Sequence, residues 1–229
     1  MCARFTLKAK LKELAEEFGL IEPHDVEPRY KIAPTQRVPV VRLLDWPARR
    51  CLDMLRWGLV PKWAKDLSVG SRMINARTET VAMKPAFRDA FRKRRCLVPA
   101  TGFCEWKQMD PGSGSKPKKQ PYLIHRRDDR VFALAGLWEE WQDTEGLPIE
   151  TFTILTTEPN DFMRPFHDRM PLIIGRNDYG LWLDPEVQGV DRLQPLLRAC
   201  ASGDLTAYPV NTYVNSPNND DPMCIQPLA

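Results

Sequence analysis

Between residues 96 and 157 the chain offers four strand-like runs one after another, and no helical pattern separates them. CLVPATGFCEWKQ (96–108), PYLIHRR (121–127), VFALAGLWEEW (131–141) and IETFTILTT (149–157) are rich in β-branched and aromatic residues, the composition that suits a pleated, half-buried surface. Two more runs precede them, VPVVRLL (38–44) and CLDMLRWGLVP (51–61), joined by a charged turn. Strands that do not alternate regularly with helices argue against a doubly wound parallel sheet. The pattern predicts an α+β fold with a mostly antiparallel, barrel-like or sandwiched sheet core and flanking helices.

Helical spacing is found outside these runs. Leu7, Leu11, Leu14 and Phe18 recur with the right period before Gly19, so a short amphipathic helix is expected to start near Thr6. TETVAMKPAFRDAFRKRR (78–95) reads as a helix with Phe87 and Phe91 on its buried side. NDYGLWL (177–183) and VDRLQPLLRAC (190–200) read as two more, although Pro195 sits badly in the second,. PGSGSKPKKQ (111–120) reads as a solvated hairpin tip, and the tail from Asn211 is loop-rich,. No internal repeat appears, and a single domain over residues 1–229 is expected.

A 229-residue chain that is 43% hydrophobic can bury a proper core,. Thirty-three basic residues against 30 acidic leave a net charge of +3. That is too weak to demand a nucleic-acid partner, yet it allows one if the cations gather on one face. No apolar run approaches the roughly 18 residues of a membrane span, and no signal peptide opens the chain,. The expectation is a cytoplasmic protein, nucleoid-associated if it binds DNA. Six cysteines (Cys2, Cys51, Cys96, Cys104, Cys200 and Cys224) lack CxxC spacing and read as free thiols, not as a disulfide frame or a metal site,. No metal and no cofactor is expected.

Cys2 follows the initiator Met, and removal of Met1 would leave a 1,2-aminothiol. Its amine and thiol have ordinary pKa values of about 7.7–8.0 and about 8.5, so both react near neutral pH. The amine condenses with an aldehyde and the thiol closes on the resulting imine carbon to give a thiazolidine. A second-position cysteine also arises by chance, so other residues must carry the weight. Asn75 and Arg77 in INARTET are two apart and share a face in extended chain,; an amide and a guanidinium together suit a polar, phosphate-bearing substrate. Glu105, set in the aromatic strand GFCEWK, is either a desolvated acid/base or a salt-bridge partner,. In a regular strand Trp106 faces away from it. His167 lies in the polar cluster RPFHDRMP beside Asp168 and Arg169, whereas His24 and His125 look like surface residues,. Aromatic and basic residues interleave at Arg4, Arg56-Trp57, Lys62-Trp63, Arg77 and Trp106-Lys107, a pattern that serves either single-stranded nucleic acid or an ordinary core.

Taken in order, MCAR, RYKIAPTQ, RWGLVPKW, INARTET, CLVPATGFCEWK, FHDRMP and IQP resemble the SRAP (SOS response-associated peptidase) family, from Cys2 to Pro227. The resemblance implies an SRAP-like fold and an abasic-site-processing enzyme of lyase or hydrolase type. Such a protein senses abasic sites in single-stranded DNA and shields them as a covalent DNA–protein cross-link. It implies Cys2 as the nucleophile once Met1 is removed, autoproteolytically or by an aminopeptidase. Asn75 would hold the N-terminal amine and the sugar, Glu105 would be the acid/base of ring opening and reversal, and His167 would protonate the sugar oxygen. Arg4, Arg77 and Arg169 match phosphate-contacting positions, and Pro34, Trp63 and Trp106 match positions that pack on flanking bases. A monomer acting on DNA is expected, with no membrane partner. Two positions depart from the pattern: Ala3 replaces a usual Gly, and Lys31 replaces a usual Asn. A cation at 31 would either attract phosphate or cost a local hydrogen bond. The competing readings are a cysteine-dependent (auto)peptidase and a non-covalent single-stranded DNA-binding module.

Overall fold

The computed structural model describes residues 2–21, 26–44, 49–109, 118–216 and 218–228. In chain order the elements begin with β1 (Phe5–Leu7), α1 (Leu11–Phe18), β2 (Arg29–Ile32), β3 (Arg37–Leu44), β4 (Arg49–Trp57) and β5 (Asn75–Arg77). They continue with α2 (Arg88–Lys93), β6 (Arg95–Ala100), β7 (Gly102–Gln108), β8 (Lys119–Arg126), β9 (Phe132–Gln142) and β10 (Pro148–Thr157). The chain finishes with β11 (Met170–Pro171), β12 (Ile173–Ile174), α3 (Tyr179–Leu183), α4 (Val190–Leu193) and β13 (Leu205–Pro209). Most of the hairpin-tip segment, residues 110–117, lies outside the described residues, as does His24.

β10, β4, β3, β6 and β9 pair in a ring that closes where β9 returns to β10. Closure leaves these five strands without a free edge. Every pairing in the ring is antiparallel except β4 with β10, so the fold is the α+β, mostly antiparallel barrel expected. A second sheet, ordered β13-β8-β7-β1-β2, lies beside it. The core is aromatic: Trp57 stacks on Phe152 with ring centroids 6.3 Å apart and meets the edge of Phe5 at 5.2 Å. Among the described residues no helix is long and apolar enough to cross a membrane.

Three expected helices are shorter than their spacing suggested. Thr6 and Leu7 belong to β1, because the Thr6 carbonyl accepts from Thr101 N–H at 2.8 Å and Leu7 registers with Arg29. Helix α1 therefore starts at Leu11, buries Leu14 and Phe18, and stops at Gly19, whose φ of 63° is left-handed. Of 78–95, only Arg88–Lys93 is helical. Pro85 has no N–H to donate and biases Lys84 away from helical backbone, and the residues before it fold as turns instead. Phe87 and Phe91 are nevertheless both buried. Residues 190–193 are helical, and Pro195 falls in the 3₁₀ turn that follows.

The link from β4 to β5 is set by a close backbone contact. A Cβ on Gly58, whose φ is +120°, would sit 2.6 Å from the Gly70 carbonyl oxygen. Only glycine fits there, and the contact brings the chain back so that Asn75–Arg77 lies along β10.

Candidate functional site

Cys2 enters the core on the extension of β1. The Arg4 carbonyl accepts from Cys104 N–H at 3.0 Å, which carries the β1–β7 pairing towards Glu105. Cys2 is 0% exposed, and its Sγ lies 3.8 Å from the Arg4 carbonyl. Burial pushes its thiol well above the ordinary cysteine range, and the nearby Glu105 charge adds to the rise.

Asn75 opens β5, which runs parallel to β10 with Asn75 opposite Ile154. Its Nδ2 donates to the Cys2 carbonyl at 2.9 Å. Its Oδ1 is buried and has no hydrogen-bond partner among the described residues, leaving an acceptor beside the residue that would carry the amine. Sequence spacing put Asn75 on one face with Arg77; the structure places its amide against the Cys2 carbonyl.

Glu105 sits on β7 opposite Tyr122 of β8 and is 3% exposed. Burial lifts its carboxyl to about 7, against an opposing pull from the charge of the chain's amino terminus. Tyr122 in turn packs edge-on against Phe166, with centroids 5.1 Å apart. That contact brings the His167 segment beside Glu105.

His167 Nδ1 lies 3.0 Å from the Arg169 N–H and 2.6 Å from Asp168 Oδ1. One nitrogen cannot accept from the amide and donate to the carboxylate together. The amide is fixed by the backbone and Asp168 is exposed, so the two compete for Nδ1, and the bond from the amide is the one that leaves the ring proton on Nε2. Burial pushes the imidazole pKa down, as does the charge of the amino terminus. The amino terminus, Asp168 and Lys119 act on both Glu105 and His167, so the two groups share one electrostatic neighbourhood.

The expected DNA contacts divide by exposure. Trp63 is 63% exposed and Arg77 is exposed at the end of β5. Pro34 is half-buried in the β2–β3 turn next to Thr35, whose φ is 73°. Half-buried Arg4 turns its Nη1 to the Ala3 carbonyl at 2.7 Å. Trp106 shares a face with Cys104 and not with Glu105, as strand alternation requires, and its Nε1 donates to Asn215 Oδ1 at 2.8 Å. Arg169 differs from the rest. Its side chain is 11% exposed and its fork is taken by Glu79. Lys31 is buried and donates to the Ser216 carbonyl, so it ties down the C-terminal segment and does not face phosphate.

Two participants escaped sequence reading. Thr156 accepts through its carbonyl from both Thr78 N–H and Arg169 Nη2. Glu79 holds Arg169 across 90 positions of chain. Glu79 lies in the turn that follows β5, so strand alternation gave no signal for it.

The fold and site define a class: a closed β-barrel protein that buries a second-position cysteine among an amide, a neutral-range carboxyl and an imidazole. The chain belongs to the SOS response associated peptidase (SRAP) family, whose model matches residues 1–217. It is 40% identical over 229 residues to the abasic site processing protein YoqW of Bacillus subtilis, covering 99% of each chain. It is 29% identical over 239 residues to the abasic site processing protein YedK of Escherichia coli, covering all of both. A crystal structure of a protein from Bacteroides thetaiotaomicron superposes over 100% of both chains with a TM-score of 0.86 at 28% identity.

Proposed function

We propose that this protein captures abasic sites in single-stranded DNA through Cys2, as a thiazolidine cross-link that shields the lesion. The observation that carries the reading is the Asn75 amide, bonded to the Cys2 carbonyl, with its own oxygen buried and unpartnered among the described residues. Once Met1 is removed, autoproteolytically or by an aminopeptidase, that oxygen is positioned to accept from the Cys2 amine. The names of the relatives support the choice of substrate.

An abasic deoxyribose is mostly a closed hemiacetal, so the aldehyde must first be exposed. Glu105, poised near 7, takes the anomeric hydroxyl proton in its carboxylate form and passes it on to the ring oxygen, which the neutral His167 ring steadies through a hydrogen bond from Nε2–H, so that Glu105 is a carboxylate again when the ring is open. The Cys2 amine adds to the aldehyde carbon and water leaves, giving the imine. The Cys2 S–H then adds across C=N: the sulfur bonds to carbon and the proton ends on nitrogen. Because burial keeps this thiol protonated, a base must remove its proton at the moment of attack, and Glu105 is the base at hand. Exposed Arg77 and half-buried Arg4 meet phosphates, while Pro34, Trp63 and Trp106 line the path of flanking bases. The protein acts as a monomer on cytoplasmic, nucleoid DNA.

A hydrolytic cysteine needs a thiolate. Burial raises the Cys2 thiol, and pushes Cys104 up to about 12, so a peptidase reading for either residue is the weaker one.

The test compares matched samples with and without Met1, incubated with abasic single-stranded DNA. After denaturation, the Met-free protein should carry DNA without borohydride, at the summed mass of protein and DNA less one water. The Met-retaining protein should bind DNA but carry none. Equal stable yields from both would give the reaction to an internal nucleophile, and an adduct that survives only after reduction would mean a simple Schiff base.

A further inference from the structure

We propose that Glu79 is a positioning residue for His167, acting through the guanidinium and backbone of Arg169. Arg169 Nη1 donates to Glu79 Oε1 at 2.7 Å and Nη2 to Oε2 at 2.9 Å, a two-pronged pair,. Nη2 also donates to the Thr156 carbonyl at 2.5 Å. The same carbonyl accepts from Thr78 N–H at 2.9 Å. Residues 78–79 and the Arg169 side chain are therefore fixed to one point at the end of β10. Two residues before Arg169 stands His167, and the Arg169 N–H holds its Nδ1 at 3.0 Å. Four residues before Glu79 stands Asn75, which holds Cys2. One ion pair thus joins the segment carrying the imidazole to the strand carrying the amide.

The geometry decides against reading Arg169 as a simple phosphate contact. Its side chain is 11% exposed and both terminal nitrogens are occupied, whereas the Glu79 carboxylate is 43% exposed. A phosphate reaching this guanidinium would have to expel a carboxylate bonded at two points. What the pair does instead is set the ring. While the Arg169 amide points at Nδ1, the proton stays on Nε2 and the imidazole stays neutral. If the segment loosens, Asp168, already 2.6 Å from Nδ1, takes over as partner, draws the proton to Nδ1 and favours the charged ring.

The effect on rate rests on the cross-linking reading, but the effect on the ring does not, and the experiment separates them. Nitrogen-15 NMR of the DNA-free protein reports the His167 tautomer and its titration directly. Wild-type protein should show the Nε2–H form. Glu79→Gln cannot accept both prongs of the fork, and should give a mixture with Nδ1–H and an imidazole pKa moved upward. The direction is diagnostic. The charged groups around His167 include the amino terminus, Asp168, Lys119 and Arg169, with Glu105 beside its segment, and removing the Glu79 negative charge can by itself only lower the imidazole pKa. An upward shift therefore has to come from the change of partner at Nδ1. Glu79→Asp, which keeps the charge on a shorter arm, should fall between the two and guards against a Gln variant that fails to fold. Cross-link formation should slow by roughly ten- to a hundredfold in Glu79→Gln, the usual cost of about 1 Å of misplacement, with partial recovery in Glu79→Asp. An unchanged tautomer and pKa in both variants would overturn the proposal, whether or not any cross-link forms. A shifted tautomer with a wild-type cross-linking rate would overturn it too. If wild-type protein forms no cross-link, the reading of function fails, while the NMR comparison still decides the role of Glu79.

Discussion

Glu105 shows what the site costs the fold. A carboxyl lifted to about 7 by burial binds its proton more tightly in the folded chain than in the unfolded one. The folded protein thus gains stability from this group below the ordinary carboxylate range and loses it as pH rises through about 7,. The loss is on the order of 3 kcal/mol once the group is fully ionised. Glu105→Gln should therefore melt higher than wild type at pH values above that range, by about 2–3 kcal/mol, with the difference vanishing in acid. Urea titrations at several pH values would measure it, and an equal pH dependence in both proteins would show that Glu105 is not the titrating group. The same variant should slow both formation and reversal of the cross-link. Residues of this kind were readable from sequence because their chemistry is unusual where they stand: a carboxylate in an aromatic strand, an amide two positions from a guanidinium. Glu79 was not, because its meaning depends on Arg169, 90 positions away.

Arg95 illustrates how one guanidinium locks elements through their backbone carbonyls. It is buried, and its guanidinium donates to the Phe91 and Arg92 carbonyls at 2.6 and 2.7 Å and to the carbonyls of Trp182 and Asp184. These are the orphan carbonyls at the C-terminal ends of α2 and α3. One side chain therefore caps two helices and staples both against β6. Burial lowers its pKa to about 10, against a weaker opposing pull from the Asp184 carboxylate. Arg95→Ala leaves several buried carbonyls unsatisfied and should destabilise the protein by about 3 kcal/mol or more, read as a lower urea midpoint. A loss under about 1 kcal/mol would mean that water replaces the guanidinium. The strands were readable from β-branched and aromatic runs, and the helices only in part. Leu7, Leu11, Leu14 and Phe18 do fall at helical spacing, but Thr101 and Arg29 recruit the first turn into the sheet. Local periodicity is overruled when a neighbouring strand offers hydrogen bonds to the same backbone.

The site is assembled by β10. It pairs with β9, β4, β5 and β11, and it anchors Asn75 through β5 and Arg169 through the Thr156 carbonyl. Barrel closure depends on the parallel match of Thr151 with Arg56 and Phe152 with Trp57, a contact between distant segments that no local pattern announces. This assembly divides the cations between buried ones that shape the site and exposed ones, which on the proposed function would meet the backbone of DNA. Only the second kind releases counterions on binding, at about 0.7 per phosphate on single strands. The logarithm of the binding constant should therefore fall shallowly with the logarithm of salt, and Arg77→Ala should flatten that slope by about 0.7. Trp63→Ala should weaken binding by roughly 1–3 kcal/mol, the worth of a stacked base, with the slope unchanged. Arg169→Ala should leave the slope as it is and slow cross-linking instead, because its charge is spent on Glu79. Fluorescence anisotropy across a salt series, run on the same variants as the cross-linking assay, separates the three outcomes. A slope that flattens in Arg169→Ala as it does in Arg77→Ala would return Arg169 to the phosphate path and make Glu79 a carboxylate that DNA displaces.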